Sequence, residues 1–259
     1  MEIPRQRDRR RSQRRLFDAV ADLYDATRHG YPDDLVRDLV ATAGVGAGDP
    51  VLEVGCGTGQ LTGQLVPFGF ALAAIDIGPS MVAAARRRLA PAAVDLRVTA
   101  FEDLDVPAAS FALVVSATAF HWIDPDVGWA KAAHLLRPGG WLAVLGTREV
   151  YDEPVGPAVR DLYVRHGDGG AWVAAAPSPA DTLAATGLFE PAVVRTAAER
   201  DALPAETVFG LEHTRATTLA FDERARAAFG AGLRALLDGR ASVGLERQTL
   251  LTMARVRPS

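Results

Sequence analysis

The stretch Val51-Leu52-Glu53-Val54-Gly55-Cys56-Gly57-Thr58-Gly59-Gln60 decides how the rest of the chain is read. A short aliphatic run leads directly into three alternate glycines, and an apolar helical pattern follows at Leu61 and Leu65. A buried parallel strand that turns sharply into a helix has this order, because glycine accepts positive φ and lets a ligand approach the main chain. The dinucleotide fingerprint G-x-G-x-x-G asks for a third glycine where this chain has Gln60. Asp76 closes the next apolar run, where a carboxylate accepts hydrogen bonds from a ribose diol. The two features together predict an adenosine-type ligand.

Similar aliphatic runs at 71–75, 94–98, 111–115 and 141–145, bounded by Gly, Pro or Asp, read as further buried parallel strands. Pro79 opens a helix through 89, while Asp124 and Pro125 supply the N-cap and first position of another, which ends before Pro138-Gly139-Gly140. Strand, helix, strand recurs throughout. The repetition predicts an α/β, doubly wound sheet with helices on both faces and a ligand crevice at the carboxyl ends of its strands. Upstream, Leu35, Val36, Leu39, Val40 and Ala43 share one side of a helix stopped by Gly44, preceded by an amphipathic helix at 16–24.

Beyond Thr147 the pattern becomes irregular, then yields a helix at 179–186, a strand at 192–196, helices at 204–215 and 222–237, and a strand near 249–256. The expected organisation is a basic flexible tail (1–15), an N-terminal helical lid (16–48), a cofactor-binding core (49–147), an insertion or substrate lid (148–178), and a C-terminal segment completing the sheet and the substrate pocket (179–259).

A chain of 259 residues with 49% apolar and 23% charged residues is expected to fold as one large α/β domain or two small ones. No uncharged apolar stretch reaches the roughly 18 to 20 residues that a bilayer requires, and nothing resembles a secretory leader. Cys56 is the one cysteine, which excludes an internal disulfide or a thiolate metal cluster. A cytoplasmic, non-membrane protein is expected. Residues 1 to 15 hold seven arginines against Glu2 and Asp8 and leave an acidic body. No aromatic interleaves with these arginines, so they read as a solvated tail rather than a nucleic-acid arm. Asp124 and Asp126 could chelate Mg²⁺, but the capping role already explains Asp124, so no metal is expected.

Six ordered segments between Phe17 and Thr147 extend the pattern: Phe17-Asp18 through Tyr24-Asp25 with Arg28 and Tyr31-Pro32; the glycine loop with Glu53; Asp76 through Gly78-Pro79-Ser80-Met81; Phe101-Glu102-Asp103-Leu104; Phe120-His121-Trp122-Ile123-Asp124; and Leu136-Arg137-Pro138-Gly139-Gly140. In this combination the chain resembles the class I S-adenosylmethionine-dependent methyltransferases, in particular the ubiquinone-biosynthesis-type and trans-aconitate-type group. The resemblance implies a Rossmann-like seven-stranded sheet, mostly parallel with its last strand antiparallel, and S-adenosyl-L-methionine as cofactor with S-adenosyl-L-homocysteine as product.

Carried over residue by residue, the resemblance assigns the cofactor to Tyr24, Arg28, Glu53, Gly55, Cys56, Gly57, Gly59, Asp76, Ile77, Met81, Phe101, Glu102, Ala117 and Thr118. Gly55, Cys56 and Gly57 would line its methionine half and Asp76 its ribose, while Ile77, Met81 and Phe101 would sandwich the adenine, with Glu102 or a nearby amide reading its edge. Ala117 and Thr118 would flank the sulfonium, and Arg28 would pair with the amino-acid carboxylate beneath Tyr24. Ala100 and His29 depart from the family pattern, which often has an acid and a proline there, and Ala100 leaves the adenine contacts least defined.

His121 and Tyr24 are the catalytic candidates, and His29, Tyr31, His121, Trp122 and Trp172 are the substrate candidates. His121 follows the fourth strand, where the methyl should point, and an imidazole titrates near neutrality. Its alternative role is to pack or cap the turn before Asp124. Trp172, Val173, Leu183, Phe209 and Leu211 lead to an expected acceptor with an uncharged or aromatic body, such as a secondary metabolite or quinone-like molecule. O-methylation stands ahead of N- or C-methylation, and a carboxyl acceptor would need no base. The competing classes are a catalytically silent cofactor-binding protein and a nicotinamide-dependent oxidoreductase, the latter opposed by Gln60. The expected partner is a small molecule, not nucleic acid or membrane, and the expected assembly is a monomer or homodimer.

Overall fold

The computed structural model describes residues 14–167 and 178–258. Strands β1 (Pro50–Val54), β2 (Ala71–Asp76), β3 (Asp95–Val98), β4 (Phe111–Ala117), β5 (Leu136–Tyr151), β6 (Val193–Pro204) and β7 (Ser242–Arg255) form a seven-stranded sheet in the order β3-β2-β1-β4-β5-β7-β6. The first five strands are mutually parallel, and β7 is antiparallel to both β5 and β6. Strand order reverses between β1 and β4, so a crevice opens beyond their carboxyl ends.

Helices α1 (Ala21–Thr27), α2 (Asp33–Ala43), α3 (Gln60–Leu65), α4 (Pro79–Leu89) and α5 (Pro125–Leu135) accompany this half. Alternation along the strands sends side chains to two cores. Val51, Leu113 and Val115 pack with Leu35 and Leu39 of α2 and Leu61 and Leu65 of α3. Leu52, Val54 and Val114 face the other way, onto Ala132 and Leu135 of α5 and onto Phe101. Gly44 adopts φ +62° and ends α2, and the Asp124 carboxylate accepts from the Asp126 amide (3.1 Å) at the start of α5, as both local signals predict.

The second half departs from the sequence expectations. The last β4–β5 pair is Ala117 with Leu145, yet β5 continues to Tyr151 against β7. Residues 148–151, expected as irregular insertion, are therefore strand, and α6 (Val155–His166) follows. Strands β6 and β7 are likewise longer than expected because Glu199, Asp201, Glu246 and Arg247 look like loop residues until they are paired across strands. After α7 (Pro179–Thr186), helices α8 (Ala205–His213), α9 (Ala216–Leu219) and α10 (Glu223–Leu237) complete the α-helices of the described residues. Helices α6, α8 and α10 build a third core on the overhanging strands, with Tyr151, Val208, Phe229 and Leu245. The overhang thus carries a helical layer past the end of β4, next to the crevice.

Two further expectations fail. No helix separates β3 from β4, only the short turn Phe101–Asp103. Strand β3 is not buried: it is the sheet edge, and Val98 keeps 47% of its surface. Among the described residues no helix is long and apolar enough to cross a membrane.

Candidate functional site

The loop after β1 is held by its neighbours. Gly55, Gly57 and Gly59 adopt φ of +73°, +55° and +91°, a region costly for residues with a Cβ. The Gly55 and Cys56 amides donate to the Ile75 carbonyl (2.8 and 3.0 Å). Asp76 closes the arrangement, because its two oxygens accept from the Gly57 amide (3.0 Å) and the Gly78 amide (2.8 Å). One carboxylate therefore joins the loops that follow β1 and β2. Burial pushes its pKa up, against the pull of those amides.

Glu53 is behind the loop, fully buried, and accepts from the Thr62 hydroxyl of α3 (2.6 Å). Burial pushes its carboxyl up to about 8, so it is largely protonated at neutral pH. A carboxyl whose folded pKa exceeds its unfolded value binds a proton on folding, so its contribution to stability declines as pH rises from the ordinary carboxylate range to about 8. Glu53→Gln is expected to remove that slope. Denaturation midpoints measured from pH 5 to 9 should diverge from wild type by on the order of a few kcal/mol by about pH 8 and run parallel above it. Superimposable profiles would refute a protonated Glu53.

A first cavity, of about 100 Å³, opens over these loops. Gly55, Gly57 and Asp76 line it together with the apolar Ile77, Met81 and Phe101 and with Ala117 and Thr118. Its roof comes from the N-terminal segment through Arg14, Phe17 and Tyr24. Asp18 accepts from the Ser80 and Met81 amides (2.6 and 3.2 Å), capping α4 from a distant part of the chain. Arg14 donates both terminal nitrogens to Glu102 (3.1 and 2.8 Å).

Arg14 corrects the expectation of a solvated tail, since its side chain keeps only 11% of its surface. Glu102 is correspondingly not on the cavity wall. It holds Arg14 and accepts from the Asp124 amide (3.1 Å), and although burial would raise its pKa, these donors bring it below the usual range. Glu53, Cys56 and Gly59 also lie off the wall of this cavity. Burial pushes the Cys56 thiol up, which suits packing rather than nucleophilic chemistry.

A second, polar cavity of about 270 Å³ adjoins the first and shares Phe17, Tyr24, Thr118 and Trp122 with it. Arg28, His29, Tyr31 and His121 line it. Arg28 places its guanidinium 5.0 Å from the Tyr24 ring centroid and donates to the Thr214 hydroxyl (3.3 Å) and carbonyl (3.2 Å). Thr118 has φ +54°, a rare conformation for a β-branched residue, and is fixed by its amide to Leu145 (2.8 Å) and by a hydroxyl contact with Tyr31 (3.0 Å). Burial raises both Tyr24 and Tyr31, so both phenols stay protonated.

The side chains expected around an uncharged acceptor are not gathered at this second cavity among the described residues. Leu183 and Leu211 are buried in the cores, Phe209 stacks on His213 (4.0 Å), and Trp172 and Val173 lie outside the described residues. Instead the overhang brings Glu149, Arg215 and Arg247 to the second cavity, together with Thr147 and Thr217. These polar residues and Arg14 are the site residues that sequence reasoning missed. Alternation along β5 places Thr147 and Glu149 on one face, but only the register with β7 sets Arg247 opposite Glu149. Among the described residues no group of three or more His, Cys, Asp or Glu side chains could hold a metal ion.

The site fits an adenosyl ligand. The left-handed glycines leave open backbone beside Asp76, the cavity has apolar walls, and Arg14 Nε is a buried donor with no protein partner among the described residues.

A methyltransferase domain family matches residues 52–144. An uncharacterized methyltransferase of Mycobacterium tuberculosis is 35% identical over 136 residues, covering 52% of this chain and 54% of its own length. A malonyl-[acyl-carrier protein] O-methyltransferase of Hahella chejuensis is 37% identical over 129 residues, covering 49% and 46%. The chain thus spans about half the length of these relatives. Among solved structures, a candidate type II methyltransferase of Anaeromyxobacter dehalogenans aligns over 90% of this chain and 99% of its own, at 24% identity and a TM-score of 0.63. A Haemonchus contortus phosphoethanolamine N-methyltransferase, determined with S-adenosylhomocysteine, aligns over 93% of this chain and 58% of its own at 16% identity and a TM-score of 0.53. Residues 52–144 match a methyltransferase domain, and the sheet order and glycine loop around them are those of a Rossmann-like methyltransferase fold, for which S-adenosylmethionine is the cofactor.

Proposed function

We propose that this chain methylates a small-molecule acceptor, with oxygen as the atom modified. The observation that carries this reading is the junction of the two cavities, where Tyr24, Thr118 and Trp122 belong to both walls. S-adenosylmethionine supplies a methyl group on an already activated sulfur, so the protein has no leaving group to protonate. Positioning becomes its main task, worth roughly 7–11 kcal/mol when the reacting atoms are held about 3–3.5 Å apart.

Asp76 and the glycine loop hold the nucleoside half in this reading, and Ile77, Met81 and Phe101 take the base. Arg28 exchanges its Thr214 contacts for the amino-acid carboxylate, to which a planar guanidinium donates in pairs. His29, Tyr31, His121 and Trp122 bound the acceptor side. Tyr24 and Tyr31, held protonated, donate hydrogen bonds and position neighbours rather than accept protons. His121 is the group available to take a proton from a hydroxyl acceptor. A relative named as an O-methyltransferase at 37% identity supports oxygen as the acceptor atom.

Calorimetry with S-adenosylhomocysteine tests the reading first: one site per chain is expected, with no heat from NAD. Binding of NAD in its place would overturn the proposal. His121→Ala should then lower kcat by about 10²- to 10⁴-fold with a hydroxyl acceptor and leave the rate with a carboxylate acceptor within about tenfold. A hydroxyl acceptor turned over at full rate by that variant would remove His121 as the base.

A further inference from the structure

We infer that the acceptor end of the second cavity binds a carboxylate through Arg215 and Arg247, an inference that rests on the methyl-transfer reading and names its substrate class. Both arginines are anchored from behind. Arg215 donates Nε to Glu212 (2.6 Å) and a terminal nitrogen to Glu149 (2.9 Å). Glu212 is fully buried and is itself fixed by the Tyr151 and Tyr163 hydroxyls (2.7 Å each). Burial would raise the Glu212 pKa, but Arg215 and the two phenols hold it below the usual range, so Arg215 faces a permanent anion. Its guanidinium orientation is therefore set by the fold and not by the ligand.

Arg247 directs one terminal nitrogen to Glu199 (3.0 Å) and Asp201 (2.8 Å). Its side chain is nine-tenths buried, and its Nε has no hydrogen-bond partner among the described residues. A buried donor left unpaired costs affinity, so whatever occupies this end must offer acceptors. The protein offers few: Glu149 is the one carboxylate among the described lining residues, and it already accepts from Arg215. Burial and Arg247 lower the His29 pKa, so that ring adds no further cation. The cavity's other polar groups include Arg28, Tyr31, Gln60, His121 and the Thr147 and Thr217 hydroxyls.

A carboxylate is an acceptor-only planar group whose two oxygens match guanidinium donors. An amide offers one acceptor oxygen and adds donors of its own, and an aromatic body offers no comparable acceptor, so neither matches that donor surplus as a carboxylate does. Arg28, Arg215 and Arg247 share the cavity wall with one carboxylate, Glu149, and Glu199, Asp201 and Glu212 off the wall bring the cluster to four carboxylates against three guanidiniums, which favours a singly charged carboxylate over a phosphate dianion.

The test uses the full chain saturated with S-adenosylhomocysteine, titrated by calorimetry with adipate and benzoate, with adipamide and benzamide, and with inorganic phosphate. At least one acid should bind about tenfold or more tightly than its amide. Arg247→Met and Arg215→Met should each erase that preference while S-adenosylhomocysteine affinity stays within about threefold of wild type. Amides binding as well as acids, no acid binding at millimolar concentration, or phosphate binding more tightly than the acids would overturn the assignment. The acid-to-amide comparison on the unmodified chain stands even where a variant fails to fold. Loss of S-adenosylhomocysteine binding by the unmodified chain would instead sink the methyl-transfer reading.

Discussion

Asp76→Ala is expected to weaken S-adenosylhomocysteine binding by about 100-fold or more while the chain remains folded. The carboxylate accepts from the Gly57 and Gly78 amides, one on each oxygen. Hydrogen bonds to a charged group contribute roughly 1.5–3 kcal/mol each, so losing both, together with an acceptor for the ribose hydroxyls, exceeds the approximately 2.7 kcal/mol that separates a 100-fold change in affinity. The loss acts twice, because the two loops are no longer tied together and the ligand loses a partner. Asp76→Asn should be milder, since the amide oxygen still accepts from one backbone amide while its NH₂ faces the other. Burial raises the Asp76 pKa, and protonation removes the charge, so wild-type affinity should fall as pH drops into its titration range. Calorimetry checks affinity and far-ultraviolet circular dichroism checks folding. An unchanged Kd in a folded Asp76→Ala protein would show that the adenosyl ligand does not use this loop.

Gly55→Ala is the second large effect. A Cβ at Gly55 would stand 2.4 Å from the Ala119 Cβ, far inside contact distance, and Ala119 has no side-chain torsion with which to yield. The φ of +73° adds about 1–2 kcal/mol of backbone penalty for any L-residue with a Cβ. A loss of about 2–4 kcal/mol in unfolding free energy is expected, along with severe loss of S-adenosylhomocysteine binding, because the loops after β1 and β4 must part. The double variant Gly55→Ala/Ala119→Gly should recover the steric part and leave the backbone part. Gly46→Ala, where a Cβ meets nothing within 4 Å, should change stability by less than about 0.5 kcal/mol. A Gly55→Ala protein as stable as wild type, measured by chemical denaturation, would mean that the two loops do not approach as described.

The two predictions differ in how much of each the sequence carries. Three alternate glycines after an aliphatic run are legible because each residue brings its own conformational freedom, and the observed positive φ values follow. Asp76 is legible as the last residue of the next strand. The collision that makes Gly55 irreplaceable is not, since Ala119 meets it only when β1 and β4 become neighbours at the sheet's reversal. The same holds for the roof of the first cavity. Arg14 reads as one of seven arginines in a basic tail, and nothing local distinguishes it from Arg15. Its partner Glu102 is 88 residues away.

The overhanging strands show a second way in which patterning fails. Period-two apolar alternation signals a strand with one face in a core, but across β6 and β7 Arg247 pairs by charge with Glu199 and Asp201, and Arg200 with Glu246. Without apolar alternation they resemble a loop, and Leu183 and Leu211, conspicuous in the sequence, read as acceptor-pocket residues. Both are core residues.

The amino-acid order alone determined the α/β sheet, the left-handed glycine turn, the acid that follows the second strand, the helix caps at Gly44 and Asp124, and the adenosyl class of ligand. These depend on backbone preferences and on side chains acting within a few residues of their own position. Tertiary structure alone decided that Arg14 closes the first cavity, that Asp18 caps α4, and that Arg215 and Arg247 converge with Glu149 beyond the end of β4. Those arrangements depend on which chain segments meet, and charge pairing between distant segments leaves no local trace in the sequence.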